Sequence, residues 1–376
     1  MSTAHWLRAA LILPSLFIVD KLLGWPLTLI YAAGVVLAVE YVERVPVPRS
    51  ARAQLAAAVL TAAVVVVLFA AVYPLANVHV PFRGSDDDDA LNAGVRALLA
   101  GRSPYLERTY LGSVLHQLPG EFVLAAPFVV MGTSALQNLA WLALFFLAVR
   151  EERGTAHALR LAWVALLFSP VVVQQVVTGT GHMANAISVT LGLWWLTRAS
   201  GRWRVAAAIA WGIALASRAN FLWTVPLAFA WLARRDGWWT AVKTLMITCG
   251  TAAVITLPFY LAAPDQFGPL EAANRITRFN ETWPHAGDGL LALMTLLAVA
   301  LMFRRVDRSR LFLDAALVQA FPVAGGALLG LLQWGYLDVG YTSYFTFAAW
   351  FALMGITLSA KTEDLARERQ TAFRDR

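Results

Sequence analysis

From residue 7 to residue 359 the chain is a succession of apolar runs separated by short segments that repeatedly carry arginine. Nothing constrains the fold more. A backbone in hydrocarbon must satisfy its own N–H and C=O groups, so runs of this kind fold as helices, each needing about 20 residues to cross. The candidate spans are 7–23, 26–43, 54–76, 135–150, 157–175, 183–198, 203–217, 219–234, 239–262, 287–303, 311–332 and 341–359, twelve in all. Several are short unless their terminal arginines snorkel to the interface. With 59% hydrophobic and 14% charged residues, the 376-residue chain is one membrane domain rather than two or three soluble ones. The expected fold is an all-α polytopic membrane protein of about 12 transmembrane helices, whose longest outer-face loop carries short juxtamembrane helices.

The arginines set the expected topology. Arg44, Arg49 and Arg52; Arg150 and Arg153; Arg198, Arg202 and Arg204; Arg234 and Arg235; Arg304, Arg305, Arg308 and Arg310; and the tail Lys361–Arg376 fall on one side, which the positive-inside bias makes the cytoplasm. Both termini are then cytoplasmic, and residues 77–134, 176–182, 218–220, 263–286 and 333–340 face outward. The net charge of +7 is spread through these loops, which speaks for topology and against nucleic acid. The first apolar run follows Arg8 as in a signal peptide but leads at once into a second, so it is expected to stay as an anchor. The single cysteine, Cys249, excludes an intrachain disulfide and a cysteine metal site. The apolar stretch from about Pro119 to Met131 is too short to cross, and an added crossing would put Arg150 and Arg153 outside; it reads as an interfacial or partly re-entrant helix.

Loop 77–134 contains Asp86-Asp87-Asp88-Asp89, four consecutive carboxylates beside the membrane. A helix from Asp87 to about Ala100, ended by Gly101, would use some of them as N-terminal caps. Four cannot all cap, and crowded together they repel one another and raise at least one pKa. Such a cluster is a candidate general base or cation site; a solvated capping run is its plain alternative. No cofactor is required, although oxygen ligands such as Asp86, Asp87 and Asp89 would suit Mg²⁺ or Mn²⁺. The same face holds His79, His116, His182 and His285, four of the six histidines, together with Arg83, Arg102, Glu121, Arg218, Arg275, Arg278, Glu281 and Asp288. A base, imidazoles and cations for a phosphate are the parts that group transfer needs. Arg218 lies at the outer end of a tight helical hairpin, where a guanidinium calls for an anionic partner such as a lipid phosphate; snorkelling for topology is the plain alternative.

Four stretches carry a family resemblance. They are Asp86–Asp89 followed by Leu98, Gly101 and Pro104-Tyr105; Leu118-Pro119-Gly120-Glu121 through Pro127 and Gly132; Phe168-Ser169-Pro170 with Gly179-Thr180-Gly181-His182-Met183-Ala184-Asn185; and Gly212 to Phe221. Together, over about residues 54–235, they resemble the GT-C superfamily of polytopic glycosyltransferases, in its mannosyltransferase-like branch. The resemblance implies transfer of a sugar from a polyprenyl-phosphate carrier to a glycan, lipid or protein hydroxyl on the outer face of a bacterial cytoplasmic membrane. It further implies a catalytic base among Asp86, Asp87, Asp88 and Asp89, and substrate contacts from Arg83, Arg102, Tyr105, His116, Glu121, His182, Arg218, Arg275, Arg278 and His285. Spacing to Gly101 favours Asp86 or Asp87. Two departures stand out: four Asp where the family has one Asp or Asp-Glu, and Ala219 where it has Pro.

The expected organisation is an N-terminal helical hairpin (1–53), a core with the acid loop (54–235) and C-terminal helices with loop 263–286 (236–376), a part that matches no family motif. A transporter or lipid flippase is the rival reading. It calls for ionisable residues in mid-span and matched halves, whereas Arg160 and Asp314 lie near expected cytoplasmic ends and no internal repeat is visible.

Overall fold

The structure is a computed structural model that describes residues 2–79, 85–281 and 283–359, apart from the side chains of Glu43 and residues 272–275. Arg83, the tail Lys361–Arg376 and the side chain of Arg275 therefore lie outside the described residues.

Among the described residues the protein is helical throughout, with no strand; its one β-bridge, Arg108 with Val114, closes a turn in the acid loop. The chain opens with α1 (Thr3–Ile12), α2 (Leu16–Leu23) and α3 (Trp25–Val39) and continues into α4 (Ala51–Ala76). The Ser50 hydroxyl caps α4 by accepting from the Ala53 N–H at 3.2 Å. Next come α5 (Asp87–Leu99), α6 (Pro119–Val130), α7 (Leu136–Phe168), α8 (Pro170–Thr178), α9 (His182–Arg198) and α10 (Gly201–Leu215). The remainder is α11 (Val225–Asp236), α12 (Trp238–Ala262), α13 (Pro269–Thr277), α14 (Ala286–Met302), α15 (Arg308–Trp334) and a last helical stretch, Val339–Ser359.

Four helical stretches are long and apolar enough to cross a membrane: α4, α12, α15 and Val339–Ser359. The bent pair α7 and α8 makes a fifth. α4 leaves Leu55, Val59, Leu60, Val64 and Val67 exposed along its length. An exposed helix that is apolar all round has lipid as its natural surrounding, and the protein is a multi-pass membrane protein. Every one of the twelve expected stretches carries helix, but the remaining helices have 17 residues or fewer, at or below the short end of the crossing range. The expected run 157–175 is interrupted: α7 ends at Phe168, and the chain turns 82° into α8 at Ser169-Pro170. Within α7 itself, Gly154 breaks the helix at φ 82°, between the expected runs 135–150 and 157–175.

The two short helices of the acid loop form as expected, within a residue or two. α5 carries Asp87, Asp88 and Asp89 in its first turn, where carboxylates favour the helix dipole. It packs on α6 around a small core of Leu91, Val95, Leu115, Phe122, Ala125 and Phe267. α6 in turn lies directly on the end of α10, because a β-carbon at Gly120 would come within 2.4 Å of the Ile213 carbonyl oxygen. Only glycine permits this approach, and the Gly120 N–H donates to the Ala216 carbonyl at 2.9 Å. These contacts hold the acid-bearing helix over the larger core formed by α7, α9, α10 and the last helix.

Candidate functional site

Consecutive helical residues step by about 100°, so four adjacent aspartates at a helix start fan outward rather than face one point. Each takes a different direction. Asp86 accepts the Thr109 hydroxyl at 2.7 Å. Asp88, 3% exposed, accepts the Tyr73 hydroxyl of α4 at 2.7 Å. Since Tyr73 has one proton to give, the Thr133 hydroxyl, 2.7 Å away, donates to it in turn. Burial pushes the Asp88 carboxyl up to about 6. Asp89 pairs with His79, Nε2 lying 3.0 Å from Oδ2, and burial raises its carboxyl as well. Among the described residues no three His, Cys, Asp or Glu side chains converge on a place for an ion. The expected cation set Asp86, Asp87 and Asp89 is thus not assembled, for the same reason that the run fans out.

Asp87 is the member whose charge acts on Glu121. Glu121, in the first turn of α6, is 1% exposed. Its carboxylate lies 3.5 Å from Nε of Arg218, and the side chain of Asn185 stands nearby. Space for it exists because residue 181 is glycine, whose β-carbon would stand 2.6 Å from Oε1. Burial raises the Glu121 carboxyl, Arg218 and Asn185 oppose that rise, and Asp87 adds to it. Arg218, 21% exposed at its side chain, lies over the Phe347 ring at 5.7 Å. His182 begins α9 with its ring 5.2 Å from both Phe347 and Tyr344. The structure therefore gathers Glu121, His182 and Arg218 from three parts of the chain, with the charge of Asp87 acting on Glu121.

The other expected contacts separate from this group. Arg102 is exposed and pairs with Glu107. The Tyr105 hydroxyl donates to the Gln117 carbonyl at 2.9 Å, and its ring packs between Phe122, Phe259 and Phe267. His116 lies 3.3 Å from the Gly268 carbonyl, which ties the acid loop to the segment before α13. His285 is an exposed helix cap in the left-handed region, 3.4 Å from Asp288. Arg278 is enclosed by Phe279, Trp334 and Tyr341 at 5.2, 4.7 and 5.1 Å. Sequence reasoning missed Tyr73, Thr109 and Phe347. Tyr73 had a signal, as a hydroxyl in the last turn of an otherwise apolar helix; Phe347 had none.

A groove of about 530 Å³, lined chiefly by apolar side chains of α6, α7, α9 and α10, runs from Leu124 and Ser188 past the half-exposed Leu144 and Leu147 to Glu151 and Trp194. Two of its lining residues are in helical register with the polar group. Leu124 follows Glu121 by three residues on α6, Ser188 follows Asn185 by three on α9, and Ala214 precedes Arg218 by four at the end of α10. Residues three apart on one helix share a face, so Leu124 and Ser188 continue the faces that carry Glu121 and Asn185, whereas Arg218 lies beyond the end of α10 in extended backbone.

At the far end of α9, ~25 Å from His182 at 1.5 Å per residue, lies a second polar group. There the buried Glu152 accepts from Arg198 at 2.7 Å, Arg308 at 2.8 Å and the Trp194 indole at 2.8 Å. Arg204 pairs with Asp236 at 2.9 Å. The arginine-rich loops thus collect around Glu152 at the end opposite the acid run. No family model matches the chain, and neither a curated protein nor a solved structure does.

Proposed function

We propose that the protein is a GT-C-type inverting glycosyltransferase that moves a sugar from a polyprenyl phosphate to an acceptor hydroxyl. The observation that carries this reading is the buried Glu121 facing Arg218 and Asn185, with an apolar groove that begins at Leu124 and Ser188, one turn along α6 and α9. A molecule with an anionic head and a long hydrocarbon tail would place its phosphate at Arg218 and run its tail past Leu124, Ser188 and Ala214. A groove this apolar, with exposed leucines along it, suits a lipid chain better than a hydrated solute and so favours transfer over transport.

On this reading Asp87 is the general base. Asp87 is the aspartate whose charge bears on Glu121, the carboxylate that faces Arg218. Asp87 takes the proton of the acceptor hydroxyl while that oxygen attacks the anomeric carbon from the face opposite the phosphate. The anomeric C–O bond breaks, its electron pair leaves with the polyprenyl phosphate, and the configuration inverts. Arg218 stabilises the charge that develops on the leaving phosphate. Its separation of 3.5 Å from Glu121 is long for a charge-assisted hydrogen bond, so a phosphate oxygen competes well for it. Base catalysis of this kind contributes about 10²–10⁴-fold.

The topology that fits has twelve crossings of a bacterial cytoplasmic membrane, with the Glu152 end and both termini cytoplasmic and the acid loop outside. The test is transfer of radiolabelled sugar from synthetic polyprenyl-phosphate hexose and pentose donors to membrane acceptors. Asp87→Asn should abolish transfer in a protein that still folds and retains its thermal unfolding profile. Full activity in that variant would refute the base assignment.

A further inference from the structure

Beyond Arg218 the aromatic residues do not stop. From Phe347, which lies under Arg218, the rings of Tyr344, 6.0 Å away, and Tyr341, a further 6.1 Å, follow in series. Tyr341 flanks the guanidinium of Arg278 at 5.1 Å, and on another side of that guanidinium lies Trp334, at 4.7 Å. Trp334 stacks on Tyr336 with ring centres 6.2 Å apart and planes 30° apart. The stack exists because Gly335, at φ 73°, turns the chain between them. Along this track exposure rises from buried Phe347 through half-buried Tyr344, Tyr341 and Trp334 to Tyr336, which is 63% exposed.

Rings that anchor helix ends at the headgroup level need only face lipid one by one. These form two runs, Phe347–Tyr344–Tyr341 and Trp334–Tyr336, with Arg278 held between them. Among the described residues, Nε and Nη2 of Arg278 are buried without a hydrogen-bond partner, which is costly unless a polar group can reach them. The accessible faces of Trp334 and Tyr336, with tyrosine hydroxyls and the unpartnered guanidinium N–H groups of Arg278 near them, suit a pyranose chain, whose C–H faces stack on rings while its hydroxyls seek donors and acceptors.

We infer that this track is the acceptor site and that the acceptor is an oligosaccharide, its growing end at Asp87 and Arg218 and its distal units on Trp334 and Tyr336. The inference rests on the transferase reading and adds the acceptor's chemical class. Arg278 serves here as the clamp that spaces the rings, rather than as a second ligand for the donor phosphate.

The test needs no turnover. The full-length protein in nanodiscs, without donor, is titrated with linear α-1,4-glucans, α-1,6-mannans and β-1,4-glucans of two to six units, and binding is read by saturation-transfer NMR and tryptophan fluorescence. Binding should strengthen with length in at least one series. Tyr336→Ala should remove about five- to tenfold of the affinity for the longest members and leave the disaccharide unchanged, the loss expected for one stacking ring. Arg278→Lys, which keeps the charge but not the flat stack, should weaken every length. A wild-type protein that binds oligosaccharide in this way but transfers no sugar from any polyprenyl-phosphate donor would support the track and count against the transferase reading alone. Absence of binding in all three series would overturn the inference. So would a Tyr336→Ala variant that changes lipid association but not oligosaccharide affinity, since it would make Tyr336 a membrane anchor.

Discussion

Replacing Asp88 by asparagine isolates the physical cost of burying one member of the acid run. Asp88 is 3% exposed, and its carboxyl is pushed up to about 6 from an ordinary value of 3.8. A raised folded-state pKa means that the folded protein holds the proton more tightly than the unfolded chain. Its stabilising contribution is complete below about 3.8 and is lost as pH rises through about 6. At 1.36 kcal/mol per pH unit the whole effect is roughly 3 kcal/mol, of which linkage places roughly 1.4 kcal/mol between pH 5 and pH 8. Asparagine has nearly the same shape and keeps an oxygen to accept from Tyr73, so the variant loses the ionisation without losing the contact. Thermal unfolding in detergent at pH 5 and pH 8, followed by intrinsic fluorescence, reads the difference. With an unfolding entropy near 2.1 cal/mol/K per residue, the wild type should lose roughly 2 °C more than Asp88→Asn over this range, and more if unfolding is partial. Identical pH dependence in the two proteins would refute the argument, because it would mean that Asp88 reaches solvent. Transfer at neutral pH should survive in Asp88→Asn.

The Glu121 and Arg218 pair should respond asymmetrically: Arg218→Met strands a sealed carboxylate and should destabilise by roughly 2–4 kcal/mol at pH 8, less at pH 5 where Glu121 can take a proton. Glu121→Gln should cost less, since the partly exposed Arg218 can turn to water, and the double variant should unfold closer to the wild type than Arg218→Met does. At the other end, Glu152→Gln leaves Arg198 and Arg308 without their shared carboxylate and should lower stability by a similar roughly 2–4 kcal/mol. Transfer per folded molecule should nevertheless be unchanged, because ~25 Å of α9 separates that group from Asp87.

Periodicity and charge made the helices of the acid loop legible: α5 and α6 follow from the aspartate cap, Gly101 and the short apolar run after Pro119. The arginine loops likewise pointed to one end of the molecule, where they meet around Glu152. Crossing lengths were harder to read, since Ser169-Pro170 and Gly154 bend the chain inside apolar sequence that hydropathy alone treats as continuous. At the site, Glu121 and Arg218 stood out as charges beside the membrane, but their pairing depends on two glycines, Gly120 and Gly181, whose importance is steric and appears only once helices are stacked. The four aspartates looked like one cluster because they are adjacent in sequence; the helical step of about 100° is what sends them to Thr109, Tyr73, His79 and the Glu121 group. Tyr105, which sequence placed at the substrate, proves to be part of the core beneath α5. The aromatic track had no local signature, since its rings come from α15 and from the stretch that follows it and join only through Arg278.

The central claim is that the charged group and the groove together hold a lipid phosphate. A cryo-EM reconstruction of the protein in nanodiscs with added polyprenyl monophosphate tests it directly. The phosphate should appear within hydrogen-bonding distance of Arg218, with Glu121 released from that arginine and the chain running beside Leu124, Ser188 and Ala214. A phosphate seated instead at the Glu152 end, or a groove filled only by ordinary bilayer lipid at saturating polyprenyl phosphate, would contradict the account.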